Sequence, residues 1–153
     1  MTIIRTDANN TDFVGLVTLL DIELAERDGK DHLFYDQFNR LTLLKNVVVA
    51  YKNDTPVGCG AMKEATPYAM EVKRMYVLPN YRGKKIAGRI LLELESWAFQ
   101  LGYQKCVLET GKRQPEAIRL YENEGYARIP NYGPYVGIEN SVCFEKNLRK
   151  LGQ

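Results

Sequence analysis

The sequence predicts a single α/β domain over residues 1–153, with a mixed, mostly antiparallel central sheet, one bulged strand and flanking helices. Three observations predict this fold class. The chain has the length of one ordinary domain, without linkers or internal repeats. Stretches with helical periodicity precede stretches with strand-like patterns. A strand, a helix and a second strand then follow one another as in a right-handed crossover, which makes those two strands parallel.

Two helices are expected before the first strands. Apolar residues at 13, 14, 16, 17, 20 and 24 fall on one side of a helix over Thr11–Arg27, which Asn10 or Thr11 can cap. A similar pattern predicts a second helix over Asp31–Lys45. The next three stretches, VVVAYK, PVGCGAMKEA and YAMEVKRMYVL, are predicted to be strands of an antiparallel meander.

The third of these strands changes its alternation. Met70 and Val72 are apolar at even positions, whereas Met75 and Val77 are apolar at odd positions. Strict alternation would place one of these pairs in water, so the pattern predicts a β-bulge near Arg74. Bulges often lie beside active sites.

A strong helix signal follows the turn PNYRGKK, and Gly102 ends it. Its apolar stripe contains Ile86, Ile90, Leu91, Leu94, Trp97, Ala98 and Leu101. Next, KCVLET predicts a short buried strand and QPEAIRLYENEG a short helix with Pro115 in its first turn. YARI and SVCFEKNL predict the last two strands, separated by the loop PNYGPYVGIEN.

Composition disfavours several classes of protein. No apolar run can span a membrane, and MTIIRTDANN lacks the features of a secretory signal, so we expect a cytoplasmic protein without membrane partners. Cys59, Cys106 and Cys143 lie far apart and His32 has no partner at ligand spacing, which argues against a metal site and a Ser-His-Asp triad. A net charge of +2 is small for a nucleic-acid binder.

The cations nevertheless gather around one junction of strand and helix. They are Arg74, Arg82, Lys84, Lys85 and Arg89. A helix N-terminus offers unpaired N–H groups and a partial positive charge. Gly83 allows close approach, and Ala87 and Gly88 keep the first turn small. The junction predicts a pyrophosphate site, with a solvated basic helix start as the alternative. ATP hydrolysis and NAD chemistry are disfavoured because G-x-x-x-x-G-K-[ST] and G-x-G-x-x-G are absent.

The run Arg74–Leu92 resembles the acyl-coenzyme A binding motif of the GNAT N-acetyltransferase superfamily, R/Q-x-x-G-x-G/A, which follows a bulged strand. The match is the hexapeptide RGKKIA, in which Lys85 replaces the middle glycine. The stretch AIRLYENEGYARI is similar to a later family helix with the pattern L-Y-x-x-x-G-[FY]. In the order of its elements, the resemblance extends from Ile3 to Leu148.

The resemblance implies an enzyme that uses acetyl-CoA as co-substrate, without a metal, and acetylates a primary amine by direct attack in a ternary complex. It implies that Tyr121 gives a proton to the leaving sulfur, and Glu71 is the candidate base. For Glu71, an ion pair with Lys73 or Arg74 is an equal alternative. The implied coenzyme-binding residues are Met75, Tyr76, Val77, Arg82, Gly83, Lys84, Lys85, Ile86, Ala87, Gly88 and Gln114.

The acceptor is expected to be a small-molecule amine, such as an amino acid, a polyamine or an amine antibiotic. Tyr126, Tyr132 and Tyr135 are candidates to line its pocket, or they belong to a simple turn between strands. Three alternatives stay open: acetylation of a protein N-terminus or lysine, a non-catalytic acyl-CoA-binding regulatory module, and, least favoured, a nucleic-acid-binding domain. The resemblance also allows a homodimer.

Overall fold

The computed structural model describes residues 1–28 and 44–149. The elements are β1 (Thr2–Thr6), α1 (Thr11–Asp28), β2 (Asn46–Lys52), β3 (Thr55–Thr66), β4 (Ala69–Val77), α2 (Ile86–Gln100), β5 (Lys105–Gly111), α3 (Pro115–Asn123), β6 (Ala127–Ile129) and β7 (Ser141–Asn147). Short 3-10 turns lie at Pro79–Tyr81 and Gly133–Tyr135. The helix predicted over Asp31–Lys45 lies outside the described residues, except for Leu44 and Lys45, which precede β2 as irregular chain.

In the described part of the chain, the strands form one seven-stranded sheet in the order β1-β2-β3-β4-β5-β7-β6. β4 and β5 are parallel and all other neighbours are antiparallel, which confirms the predicted meander and crossover. β1 was not predicted. It pairs with β2 at the sheet edge, where a short strand needs only one partner.

Helices cover both faces of the sheet. α1 packs Phe13, Leu16 and Val17 against one face, and the amide of Phe13 donates to the Asn10 side chain at 2.9 Å, which caps the helix. α2 and α3 pack against the other face. Two residues of the predicted stripes are exposed, because Val14 lies outside the buried stripe of α1 and Leu101 follows the end of α2.

The β-bulge predicted near Arg74 is present. In the β3–β4 ladder, Gly60 alone lies opposite both Arg74 and Met75, and Arg74 has a left-handed φ of 60°. The extra residue lets the apolar side chains after the bulge pack in the same core as Met70 and Val72. The change of alternation in the sequence therefore has a direct structural cause.

We expect Gly60→Ala to destabilise the fold by about 1–3 kcal/mol, because the added methyl overpacks the core beside the bulge. A Cβ at Gly60 would lie 2.5 Å from Met75 Sδ and 2.9 Å from Ile90 Cγ2. Urea unfolding followed by circular dichroism measures the change. Gly15→Ala on the exposed side of α1 is the matched control, because nothing lies within 4 Å of its Cβ position. Equal unfolding midpoints for the two variants would contradict this account.

Candidate active site

The sheet opens between β4 and β5. Their parallel pairing runs from Ala69 with Lys105 to Val72 with Leu108 and then stops. Among the described residues, the rest of β4 has no strand partner on this side. Backbone groups that a ladder would have used are therefore available here. Two cavities lie at the opening, and the bulge lies between them.

The larger cavity has a volume of about 540 Å³ and lies between β4, the start of α2 and α3. It is lined by all the residues predicted to bind the coenzyme except Lys84, namely Met75, Tyr76, Val77, Arg82, Gly83, Lys85, Ile86, Ala87, Gly88 and Gln114. Lys84 is exposed, and its ammonium lies 5.5 Å from the centre of the Tyr81 ring. Lys84 therefore stands outside the cavity wall.

The N-terminus of α2 forms one end of the larger cavity. The amide of Arg89 donates to the carbonyl of Lys85 at 3.2 Å, so the amides of the preceding helical residues have no acceptor within the helix. Lys85 precedes the helix with a left-handed φ of 64°, and Gly83 has a φ of 79°. A left-handed backbone costs a non-glycine residue about 1–2 kcal/mol. This cost explains why the motif has glycine at the position of Lys85.

The arginine side chains that line the larger cavity form ion pairs with carboxylates, and one of them also donates to the backbone of β4. Arg82 Nε donates to the carbonyl of Val77 at 2.9 Å, and Arg82 Nη2 donates to Glu23 Oε1 at 3.0 Å. A second ion pair, between Arg27 and Glu116, joins α1 to α3. A phosphate entering this cavity can replace Glu23 as the partner of Arg82 while the contact to β4 keeps the guanidinium in place.

The smaller cavity has a volume of about 120 Å³ and lies on the other side of the opening. Among the described residues, its charged lining consists of Glu71, Lys73, Arg74 and Glu109. The two cavities share Leu20, Met75, Gln114, Ala117 and Tyr121. A molecule in one cavity therefore contacts the wall of the other.

Glu71 is buried in the smaller cavity. Its Oε2 accepts a hydrogen bond from Tyr132 Oη at 2.8 Å, and its Oε1 lies 3.7 Å from Lys73 Nζ. Lys73 also donates to Tyr135 Oη at 3.2 Å. Burial lowers the pKa of Lys73, and the charge of Glu71 partly opposes that change. The ion pair between Glu71 and Lys73, an alternative to a catalytic role, is thus present, but inside a cavity rather than at the surface.

Tyr121 lies where the two cavities meet and is buried. Its ring packs against Tyr126 and Phe144 at centroid distances of 5.9 and 6.2 Å. Burial and then the nearby charge of Glu109 raise the pKa of Tyr121 well above its ordinary value. The phenol therefore keeps its proton at neutral pH and can donate it to a basic atom in either cavity.

The three other tyrosines considered for an acceptor pocket have different positions. Tyr135 lines the smaller cavity. Tyr132 donates a hydrogen bond to Glu71, which lines the same cavity. Tyr126 lies in the main core and donates to Glu95 Oε2 at 3.0 Å, so it lines neither cavity. Glu109 was missed, although it stands near the carboxyl end of a strand parallel to β4, where ligands of α/β sheets often bind.

The three cysteines are buried and line neither cavity. Burial raises the pKa of Cys59 and Cys106 to about 12 and that of Cys143 to about 11. None of them is suited to act as a nucleophile. Across residues 1–28 and 44–149, no group of three or more His, Cys, Asp or Glu is placed to hold a metal, and no helix is long and apolar enough to cross a membrane.

Comparisons with known proteins show similarity in sequence and in fold. The sequence model described as Acetyltransferase (GNAT) family matches residues 13–126. An IAA acetyltransferase of Azospirillum brasilense is 40% identical over 102 residues, which cover 66% of this chain and 67% of that protein. A Klebsiella pneumoniae protein assigned as an acyl-CoA N-acyltransferase shares 28% identity, with a TM-score of 0.81 and 97% coverage of both chains. A GNAT family acetyltransferase from Elizabethkingia anophelis, solved with acetyl-CoA bound, shares 20% identity, with a TM-score of 0.70 and coverage of 96% and 97%.

Proposed function

This chain belongs to the GNAT acetyltransferase family, and from that premise we propose that it transfers the acetyl group of acetyl-CoA to the primary amine of a small metabolite or amino acid. Residues 1–153 would act as one N-acetyltransferase domain. The observation that carries the proposal is the meeting of two cavities at Tyr121, beside the bulge of β4.

The larger cavity suits the coenzyme by its chemistry. Amides at the N-terminus of α2 and the guanidinium of Arg82 would hold the diphosphate, with Lys85 adding charge at the rim. The apolar and amide groups of Met75, Val77 and Gln114 would line the pantetheine arm. The position of Lys84 outside the wall leaves it only a long-range electrostatic role.

The chain supplies three functions for acetyl transfer, and the coenzyme supplies the activated acetyl group. Backbone N–H groups beside the bulge would donate to the negative charge that develops on the acetyl oxygen, each worth about 3 kcal/mol. Glu71 would take a proton from the charged amine before its nitrogen attacks, and the nitrogen would lose its second proton to solvent after the nitrogen–carbon bond forms. Tyr121 would give its proton to the sulfur as the carbon–sulfur bond breaks, and solvent would return both groups to their starting states.

Direct attack of the amine on acetyl-CoA in a ternary complex is favoured over a two-step transfer in which a side chain of the protein first takes the acetyl group. A two-step transfer needs a nucleophilic side chain at the junction of the cavities, and the cysteines are buried elsewhere with raised pKa values. The shared wall of the two cavities instead allows the acetyl donor and the amine acceptor to be bound side by side at the same time. The volume of about 120 Å³ favours a small acceptor over a protein segment.

The decisive experiment combines binding and turnover. Calorimetry measures the binding of coenzyme A. Thiol release from acetyl-CoA measures turnover across a library of amino acids, polyamines, aminoglycosides and peptides. Saturable turnover with a small amine supports the proposal. Binding of the coenzyme without turnover for any amine would favour a regulatory acyl-CoA-binding module, and turnover restricted to peptides would favour a protein acetyltransferase.

We expect Arg82→Ala to raise the Kd for coenzyme A by about 10-fold to 150-fold, because it removes a charge-assisted contact worth about 1.5–3 kcal/mol. Lys84→Ala is the matched control, since this neighbouring cation lies outside the cavity wall and should change the Kd by less than about threefold. Calorimetry on both variants tests the difference. Equal Kd values for the parent and Arg82→Ala would contradict the placement of the diphosphate.

A further inference from the structure

The smaller cavity carries both signs of charge. Glu71 and Glu109 provide carboxylates, whereas Lys73 and Arg74 provide cations. Three of these side chains, Glu71, Lys73 and Arg74, belong to buried residues. Burial of a charge is costly unless a partner compensates it. A simple alkylamine or a polyamine would match the carboxylates and would leave the cations without a role in binding.

The partners of the two cations differ. Lys73 is matched inside the cavity, by Glu71 Oε1 at 3.7 Å and by Tyr135 Oη at 3.2 Å. Arg74 has its matched carboxylate on α1, where Nη2 donates to Asp21 Oδ1 at 2.5 Å. The Asp21 side chain is 40% exposed, so this pair stands at the outer side of the cavity.

Arg74 retains an unused donor. Its side chain is only 4% exposed, and its Nε is buried without a hydrogen-bond partner among the described residues. A guanidinium has five N–H donors in a planar arrangement that fits the two oxygens of a carboxylate. Buried donors are normally satisfied, so a guanidinium that lines a cavity and has an orphan donor is a candidate to bind a ligand carboxylate there.

The backbone at Arg74 is also unusual. Its φ of 60° belongs to the left-handed region, which asparagine and glycine adopt more easily than arginine. The bulge therefore has a long cationic side chain where the backbone alone would favour a short one. Strain of this kind persists where the surrounding structure enforces it, and it clusters at ligand sites.

We propose that the acceptor is a small amino acid whose carboxylate is bound by Arg74 and whose amine lies beside Glu71. This inference rests on the proposed acetyl transfer and narrows its acceptor to amino carboxylates. A zwitterion places one charge of each sign against the opposite charges of the smaller cavity. The volume of about 120 Å³ limits the acceptor to amino acids with short side chains.

The unmodified protein gives the first test. Glycine, alanine and β-alanine are compared with their amides and with methylamine and ethylamine, with kcat/KM measured by thiol release from acetyl-CoA. We expect the acids to exceed their amides by at least about tenfold. The amine of an amide is the weaker base and is more often neutral at pH 7, so basicity would favour the opposite order. Equal kcat/KM values for the acids and amides would overturn the inference.

Arg74→Asn gives the second test, because asparagine accepts the left-handed backbone and removes the guanidinium. The ratio of kcat/KM for the preferred amino acid to that for its amide should fall about tenfold or more, mainly through the KM of the acid. Arg74→Lys should keep part of this ratio. Arg128→Asn, which removes an exposed arginine on β6, is the matched control and should leave the ratio unchanged.

Failure of this inference can be distinguished from failure of the proposed function. If no amine is acetylated, catalysis is refuted, and calorimetry of amino acids with the protein saturated in coenzyme A decides the binding site. Heat in the parent that is lost in Arg74→Asn supports the carboxylate site, and no heat in the parent overturns it. Should Arg74→Asn not fold by circular dichroism, the acid-to-amide comparison in the parent decides.

Discussion

Replacing Tyr121 by Phe is expected to lower kcat about a hundredfold while the KM for acetyl-CoA changes by less than about twofold. The substitution removes the proton that the sulfur needs and keeps the ring that packs against Tyr126 and Phe144. Burial and the charge of Glu109 raise the pKa of Tyr121, so the parent holds this proton throughout the neutral range. A thiol with a pKa of about 8.5 is a fair leaving group, so some activity should remain.

Tyr126→Phe is the matched control for this prediction. It removes the hydroxyl of another buried tyrosine, which donates to Glu95 in the core and lines neither cavity. We expect it to lower the free energy of unfolding by about 1.5–3 kcal/mol, because the acceptor is a buried carboxylate, and to leave kcat nearly unchanged. If Tyr121→Phe kept more than half of the parent's kcat, Tyr121 would not be the acid.

Glu71→Gln is expected to lower kcat/KM about a hundredfold at pH 7, because an alkylamine with a pKa near 10 must lose a proton before it attacks. Glutamine keeps an acceptor for the hydroxyl of Tyr132 but cannot take that proton. The deficit should shrink as the pH rises toward the pKa of the amine, since more of the amine is then neutral. A pH–rate profile of parent and variant measures this convergence.

The structural role of Glu71 must be separated from its catalytic role. Glu71→Gln removes the carboxylate beside buried Lys73, and breaking a buried pair costs up to about 3–5 kcal/mol. The pKa of Lys73, lowered by burial and raised by Glu71, should fall further in this variant. The double variant Glu71→Gln/Lys73→Met removes both charges and should recover stability without recovering kcat. Recovery of kcat together with stability would show that Glu71 is not the base.

Local patterns predicted most of the fold. The helices and strands that lie within the described residues begin and end within two residues of the sequence prediction, apart from the unpredicted β1. The bulge followed from the change of alternation in β4, because one extra residue returns the apolar side chains after it to the core that contains Met70 and Val72. β1 lacked such a pattern, since its adjacent Ile3 and Ile4 are both half-buried at the sheet edge.

The site was less accessible to sequence reasoning. Spacing indicated a basic helix start but not which cations line the cavity, because adjacent side chains leave a turn in different directions, as Lys84 and Lys85 do. Contacts between distant elements, such as Asp21 with Arg74, depend on the packing of α1 over the sheet. Long-range charge pairs of this kind have no periodic signal in a single sequence.

Within the described part of the chain, the five residues shared by the two cavities also limit how such a protein diverges. A substitution at any of them would alter the binding of the acetyl donor and of the amine acceptor at the same time. Changes at these residues are therefore limited by both binding sites. Leu24, Thr110 and Tyr135 border the smaller cavity alone. Related proteins that acetylate a different amine are therefore expected to differ first at these positions. The residues that line the larger cavity are expected to change less.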